Sequence, residues 1–122
     1  MSFKGFHHIA VRVKDLEAAI GDWQEKFGLS LDRTDENAEL GVRQAFFNLP
    51  DGGFIELVAP LTDDSPVAKA IESRGEGVHV VSMSVDDAGK TLERFKDKGV
   101  ALAGNFVHPK AANGVMFGLT ED

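Results

Sequence analysis

His8-Ile-Ala-Val-Arg-Val-Lys-Asp15, followed by Leu16, Ala19, Ile20 and Trp23, returns in altered form as Val80-Val-Ser-Met-Ser-Val-Asp-Asp87, followed by Ala88, Leu92 and Phe95. Each copy is a short alternating run, an acidic stop and then a helical period. Asp15 matches Asp87, Ile20 matches Leu92, Trp23 matches Phe95 and Lys26 matches Lys98. An internal repeat of this kind decides architecture before any single element does. In the first run Ile9, Val11 and Val13 share one face of a strand, and His8, Ala10 and Arg12 share the other. The spacing then predicts a helix capped by Asp15, with Leu16, Ala19, Ile20, Trp23 and Phe27 as an apolar stripe over the Ile9/Val11/Val13 face. His7 is placed on the face opposite His8. In the second copy Val81, Met83 and Val85 lie under Ala88, Leu92 and Phe95.

Further strands follow each helix. The first half offers Val42–Leu49, a turn through Pro50-Asp51-Gly52-Gly53, and Phe54–Ala59. The second half offers Ala101–Ala103, Asn105–Val107, a polar turn at Asn113-Gly114, and Val115–Thr120. Ser65-Pro66 has the form of a helix start, serine as cap and proline at the first helical position. The expectation is an α+β fold of two βαβββ modules, with a cleft between curved mixed sheets. One domain over 1–122 holds repeat one at about 6–62, a linker helix at about 65–74 and repeat two at about 77–120.

The chain has 122 residues, a length that suits one domain. It contains no cysteine, which excludes disulfides and thiolate metal sites. Thirteen Lys and Arg stand against 20 Asp and Glu, for a formal charge of −7, and a nucleic-acid binder would need a basic footprint. Met1-Ser2-Phe3-Lys4-Gly5 starts no long apolar run, so neither signal peptide nor membrane span is expected, and the default location is the cytoplasm. No histidine stands at a spacing that would activate a serine nucleophile.

His8-Ile-Ala-Val-Arg-Val-Lys-Asp-Leu-Glu-Ala-Ala, Phe54-Ile-Glu-Leu-Val-Ala-Pro-Leu, Ser65-Pro-Val-Ala-Lys, Arg74-Gly-Glu-Gly-Val-His, His108-Pro-Lys and Gly114-Val together resemble the methylmalonyl-CoA epimerases. More broadly they resemble the glyoxalase I and vicinal-oxygen-chelate superfamily, from about Phe6 to Thr120. The resemblance implies a divalent metal held by four side chains in the cleft, the first at His8 and the second at Glu56. It places the third at Val80, one residue past His79, and the fourth at Gly118. It places a proton-abstracting glutamate at Gln44, whose amide cannot do that work. The implied function is an epimerase-like or glyoxalase-like protein that binds a small carboxylate, thioester or oxo compound, with isomerase or lyase chemistry at an altered site. Glu56 is the candidate catalytic residue. Gln44, Phe46, Asn48, Phe54, Ser82 and His108 are candidate ligand contacts, Ser84 shares the face of Ser82, and His79 is taken as a satisfied structural histidine. No tightly bound cofactor is expected, and at most a divalent ion held weakly on His8 and Glu56. Partners are a small-molecule ligand and a second copy in a homodimer. The alternative is a metal-free module that sequesters a small molecule, as bleomycin-resistance proteins do. A subunit without any ligand is a third option.

Overall fold

Asp15 and Asp87 end a strand and start a helix in the same way. Each has extended backbone, and each carboxylate accepts from a backbone N–H three residues on, at Ala18 and at Lys90. Those N–H groups have no partner inside their helices, which is why an acidic cap fixes where a helix begins. The structure, a computed structural model, describes residues 3–121. Met1 and Ser2, where the absence of a leader was expected, lie outside the described residues.

The first half runs β1 (Phe3–Arg12), α1 (Leu16–Phe27), β2 (Arg33–Asn37), β3 (Val42–Asn48) and β4 (Phe54–Pro60). The helix α2 (Pro66–Arg74) follows, started by Ser65 accepting from the Ala68 N–H, with proline in its first turn. The second half repeats the order as β5 (Gly77–Val85), α3 (Ala88–Asp97), β6 (Leu102–Ala103), β7 (Phe106–Val107) and β8 (Phe117–Glu121). The α+β class and the doubled βαβββ order are those expected from the repeat. Two compact units emerge among the described residues: Ile9–His79, and residues 3–8 with 80–121. The division passes through β1 and β5 rather than between the repeats.

In the unit Ile9–His79 the strand order is β2-β3-β4-β1. β2 pairs antiparallel with β3, and β3 with β4, in the registers Arg33↔Phe46 and Phe46↔Glu56. Side chains alternate, so Ala45, Phe47, Leu57 and Ala59 face α1 and form the core with Val13 and Leu16. Val11, Ala19, Ile20 and Trp23 close over it. Ile9 and Phe27 depart from expectation: both are exposed, Phe27 by 60%. Phe27 packs edge-on against Trp23 at the last helical turn, where Gly28 takes the left-handed conformation (φ 69°) that ends the helix. At one end of the opposite sheet face α2 presses Val67 and Ile71 onto Val42 and Val58.

Arg12 ties this unit together. The residue is 6% exposed, and its guanidinium donates to the Gly75 carbonyl at 2.7 Å and to the Val78 carbonyl at 2.6 Å. Glu76 accepts from the Lys14 N–H at 2.8 Å. The Arg74–Val78 turn is thereby pinned to β1.

In the other unit β8 pairs parallel with β5 and antiparallel with β7, which pairs with β6. The buried side chain of α3 is Thr91, 1% exposed, whereas Leu92 and Phe95 are only half-buried. The Thr91 hydroxyl donates to the Asp87 carbonyl one turn back at 2.8 Å, which makes its burial tolerable. A cavity of about 180 Å³ remains, lined by Phe3, Phe95, Val107, Phe117 and Leu119 among others.

Candidate functional site

Alternation on β3 and β4 sends Gln44, Phe46, Asn48, Phe54 and Glu56 to the face away from α1, as expected. Phe46 and Glu56 are paired directly across the two strands, and so are Asn48 and Phe54. Gln44 lies diagonally to Glu56, and its Nε2 donates to Glu56 Oε2 at 2.8 Å. The Phe46 and Phe54 rings meet in a T at 5.7 Å between centroids. Asn48 is exposed at the strand end, while Glu56 is 8% exposed. Burial pushes the Glu56 carboxyl above its ordinary value, against the opposing effects of the Gln44 hydrogen bond and the Arg33 charge. A carboxylate made more basic by desolvation, oriented by an amide and walled by two aromatic rings is suited to exchanging a proton with a bound molecule.

Sequence reading missed Arg33. It lies on β2, in register with Phe46, and its guanidinium carbon sits 3.9 Å from the centre of the Phe46 ring. The strand itself gave no signal, because Arg-Thr-Asp-Glu-Asn is charged and exposed along nearly its whole length. Edge strands are built this way to avoid pairing with other chains.

The remaining candidates lie in the other unit. The His8 ring meets the His7 ring instead of diverging from it, with the two Nδ1 atoms 2.8 Å apart, so one imidazole N–H donates to the other nitrogen. Burial first, and then the His7 charge, lower the His8 pKa to about 4, so it is a neutral imidazole near neutrality. Ser82 is buried, and its hydroxyl shares a hydrogen bond of 2.8 Å with Thr120. His108 caps a short 3-10 turn, Pro109–Ala111, its Nδ1 accepting from the Lys110 N–H at 3.0 Å. Gly118 is paired with Ser82 in the β5–β8 register and is buried: a Cβ there would come within 3.0 Å of the Phe106 ring and 3.4 Å of Val80.

His79 corrects another expectation. Among the described residues its Nδ1 is buried without a hydrogen-bond partner. Burial, and then the charges of Arg12 and Arg74, hold its pKa below the ordinary value, so it stays neutral beside two guanidinium groups.

The profile of the Glyoxalase/Bleomycin resistance protein/Dioxygenase superfamily matches residues 7–117. The chain is 30% identical to the ethylmalonyl-CoA/methylmalonyl-CoA epimerase of Cereibacter sphaeroides, over 94% of this chain and 96% of that one. Among solved structures it is similar to the methylmalonyl-CoA epimerase of Mycobacterium tuberculosis, with 30% identity, TM-score 0.85 and coverage of 98% and 88%. It is also similar to a methylmalonyl-CoA epimerase in complex with methylmalonyl-CoA and NH4+, with 29% identity, TM-score 0.89 and coverage of 99% and 96%.

Proposed function

This chain belongs to the glyoxalase/bleomycin resistance protein/dioxygenase superfamily, and from that premise we propose that it binds an acyl thioester and moves a proton on it, with Glu56 as the acid/base group. The observation that carries the proposal is the buried, hydrogen-bonded Glu56 carboxylate on a face walled by Phe46 and Phe54. Relatives that act on methylmalonyl-CoA supply the ligand class. In the proposed step a Glu56 oxygen takes the proton from the carbon next to the thioester carbonyl. The electron pair left behind shifts onto the carbonyl oxygen as an enolate, and return of a proton to that carbon re-forms the C–H bond. Gln44 holds the carboxylate, and the aromatic walls keep water from competing for the proton.

The metal that the superfamily implies does not fit these residues as a closed site. Val80 has no lone pair, and Gly118 has no side chain, with the Phe106 ring crowding the place where one would start. Among the described residues no three His, Asp or Glu side chains gather as an ion would require. No step is therefore assigned to an ion. The same two positions favour a second proposal, a module that binds without reacting, since they present apolar wall where donors would stand.

Incubation with methylmalonyl-CoA in D2O, followed by proton NMR, separates the two. Loss of the signal of the proton next to the carbonyl supports the first proposal, and Glu56→Gln should slow that loss by about 100-fold or more while leaving binding intact. Exchange at an unchanged rate in Glu56→Gln would sink Glu56 as the base. Calorimetric binding without exchange by the unmodified protein would support the second. We also propose a homodimer, since Phe6 is exposed by 74% and a second copy would cover it. A one-chain mass by light scattering at micromolar concentration would count against it. Among the described residues no helix is long and apolar enough to cross a membrane.

A further inference from the structure

Arg33, Phe46 and Glu56 stand in one row across β2, β3 and β4, paired Arg33↔Phe46 and Phe46↔Glu56, and so share one sheet face. Among the described residues of these three strands, the others on that face are acidic, amide or apolar: Asp35, Asn37, Val42, Gln44, Asn48, Phe54, Val58 and Pro60. Arg33 is their only cation. Its guanidinium rests on the Phe46 ring at 3.9 Å. Its carboxylate neighbours, Asp32 and Asp35, each stand at 3.9 Å, and the Arg33 side chain is 56% exposed. Contacts that long and that wet hold a guanidinium weakly.

Arg43 shows the contrast on the opposite face. Glu17 of α1 accepts from both of its terminal nitrogens, and Glu36 stands at 3.8 Å. Arg43 is spent on its own fold. Arg33 is fixed in direction by an aromatic ring that accepts no conventional hydrogen bond, so the edge of its guanidinium remains available to an incoming anion. Its charge also reaches Glu56 and opposes the effect of burial there.

We propose that Arg33 is the specificity residue of this face, taking the free carboxylate of a malonyl-type acyl ligand while the C–H carbon bonded to that carboxylate lies toward Glu56. The inference rests on the reading of this face as an acyl-ligand site. It adds to that reading the residue that tells an acyl ligand carrying a second, ionised carboxyl group from one without it. It also supplies a fixed organic cation where the residues do not fit a resident ion. Two strand spacings, roughly 10 Å, separate the backbones of Arg33 and Glu56. The guanidinium folds back over Phe46 and shortens that gap. A carboxylate and the carbon next to it then bridge the remainder, with Phe46 as floor.

The test compares methylmalonyl-CoA with propionyl-CoA, which differ by that one carboxylate, using calorimetry on the unmodified protein, Arg33→Gln and Arg33→Lys. The expected result is a preference of about 30-fold for the carboxylated ester, from a bidentate charge-assisted pair. In Arg33→Gln that preference should collapse to about threefold or less, with propionyl-CoA affinity unchanged, and Arg33→Lys should keep part of it. A preference that survives in Arg33→Gln, or an equal loss for both esters, overturns the proposal. If neither ester binds the unmodified protein, the acyl-thioester reading fails, and free methylmalonate decides the fate of Arg33. A shift of the Arg33 Nε–H NMR signal with methylmalonate, and none with its neutral diamide, upholds the carboxylate site. An unmoved signal overturns it.

Discussion

The two repeats carry the same plan and have been packed to different standards. In the unit Ile9–His79, seven-residue strands β3 and β4 alternate between a dry core and a functional face, and Ala45, Phe47 and Leu57 have no exposed surface at all. In the other unit β6 and β7 are two residues each, the buried apolar side chains among the described residues are Val85 and Val107, and hydroxyls of Ser82, Ser84 and Thr91 take interior places. Long paired strands hold side chains within narrow limits. That is the condition for keeping Glu56, Gln44, Phe46 and Arg33 in one fixed row. The looser unit has room for a cavity and for a ring that folds over a glycine. One plan is thus realised twice, with the row of site residues in the tightly packed unit and the cavity in the other.

The largest effect that would sharpen this contrast is in the core. Phe47→Ala should lower unfolding free energy by about 4 kcal/mol, whereas Leu119→Ala, half-buried at the cavity wall, should cost about 1 kcal/mol. Equal losses in urea denaturation would break the comparison.

Next in size is Arg12. Arg12→Met leaves the Gly75 and Val78 carbonyls without their donor, and the expected loss is about 2 kcal/mol, after allowing for the relief of an expensively buried charge. An unchanged urea midpoint would show that the Arg74–Val78 turn holds itself.

The units should also respond to pH with opposite sign. The raised Glu56 pKa means that its favourable contribution is complete below the ordinary value of 4.5 and is lost as pH rises through the folded-state value. Glu56→Gln should therefore gain stability relative to the unmodified protein between pH 4 and pH 7. The lowered His8 pKa works the other way: its contribution is complete above 6.5 and disappears as pH falls to about 4. His8→Gln should flatten that acid-side loss, and the His8 ring signals in NMR should show no titration above pH 5. A midpoint near 6.5 would mean that the imidazole is not desolvated.

The smallest expected effect is at Gly118. Gly118→Ala presses a methyl against the edge of the Phe106 ring, a side chain 37% exposed that can turn aside. The cost should stay under about 1 kcal/mol, near that of a mild overpacking, and Phe106→Ala should remove it.

What the sequence disclosed was what local chemistry writes plainly. Asp15 and Asp87 as caps, Ser65-Pro66 as a helix start and the alternation through Phe54–Ala59 are each set by neighbours a few residues away. The Gln44, Phe46, Phe54 and Glu56 face was legible because period-two alternation fixes it. β2 escaped because a charged edge strand has no apolar alternation to betray it, and Arg33 escaped with it. Thr91 escaped because helical periodicity follows carbon and overlooks a hydroxyl that satisfies itself one turn back. Ile9 and Phe27 were placed inside because a stripe cannot say where the sheet beneath it ends. The ring over Gly118 depends on a register between distant strands, which no local pattern records.

Arg12 reaches partners 63 and 66 residues away along the chain, and its two hydrogen bonds need those residues brought into place first. Closing a loop of that length is an entropic debt that a growing nucleus settles late. The guanidinium is therefore a latch that engages after the barrier has been crossed. Its removal should leave the refolding rate nearly unchanged and speed unfolding, so that in this protein Arg12 sets how long the folded state lasts more than how fast it is reached.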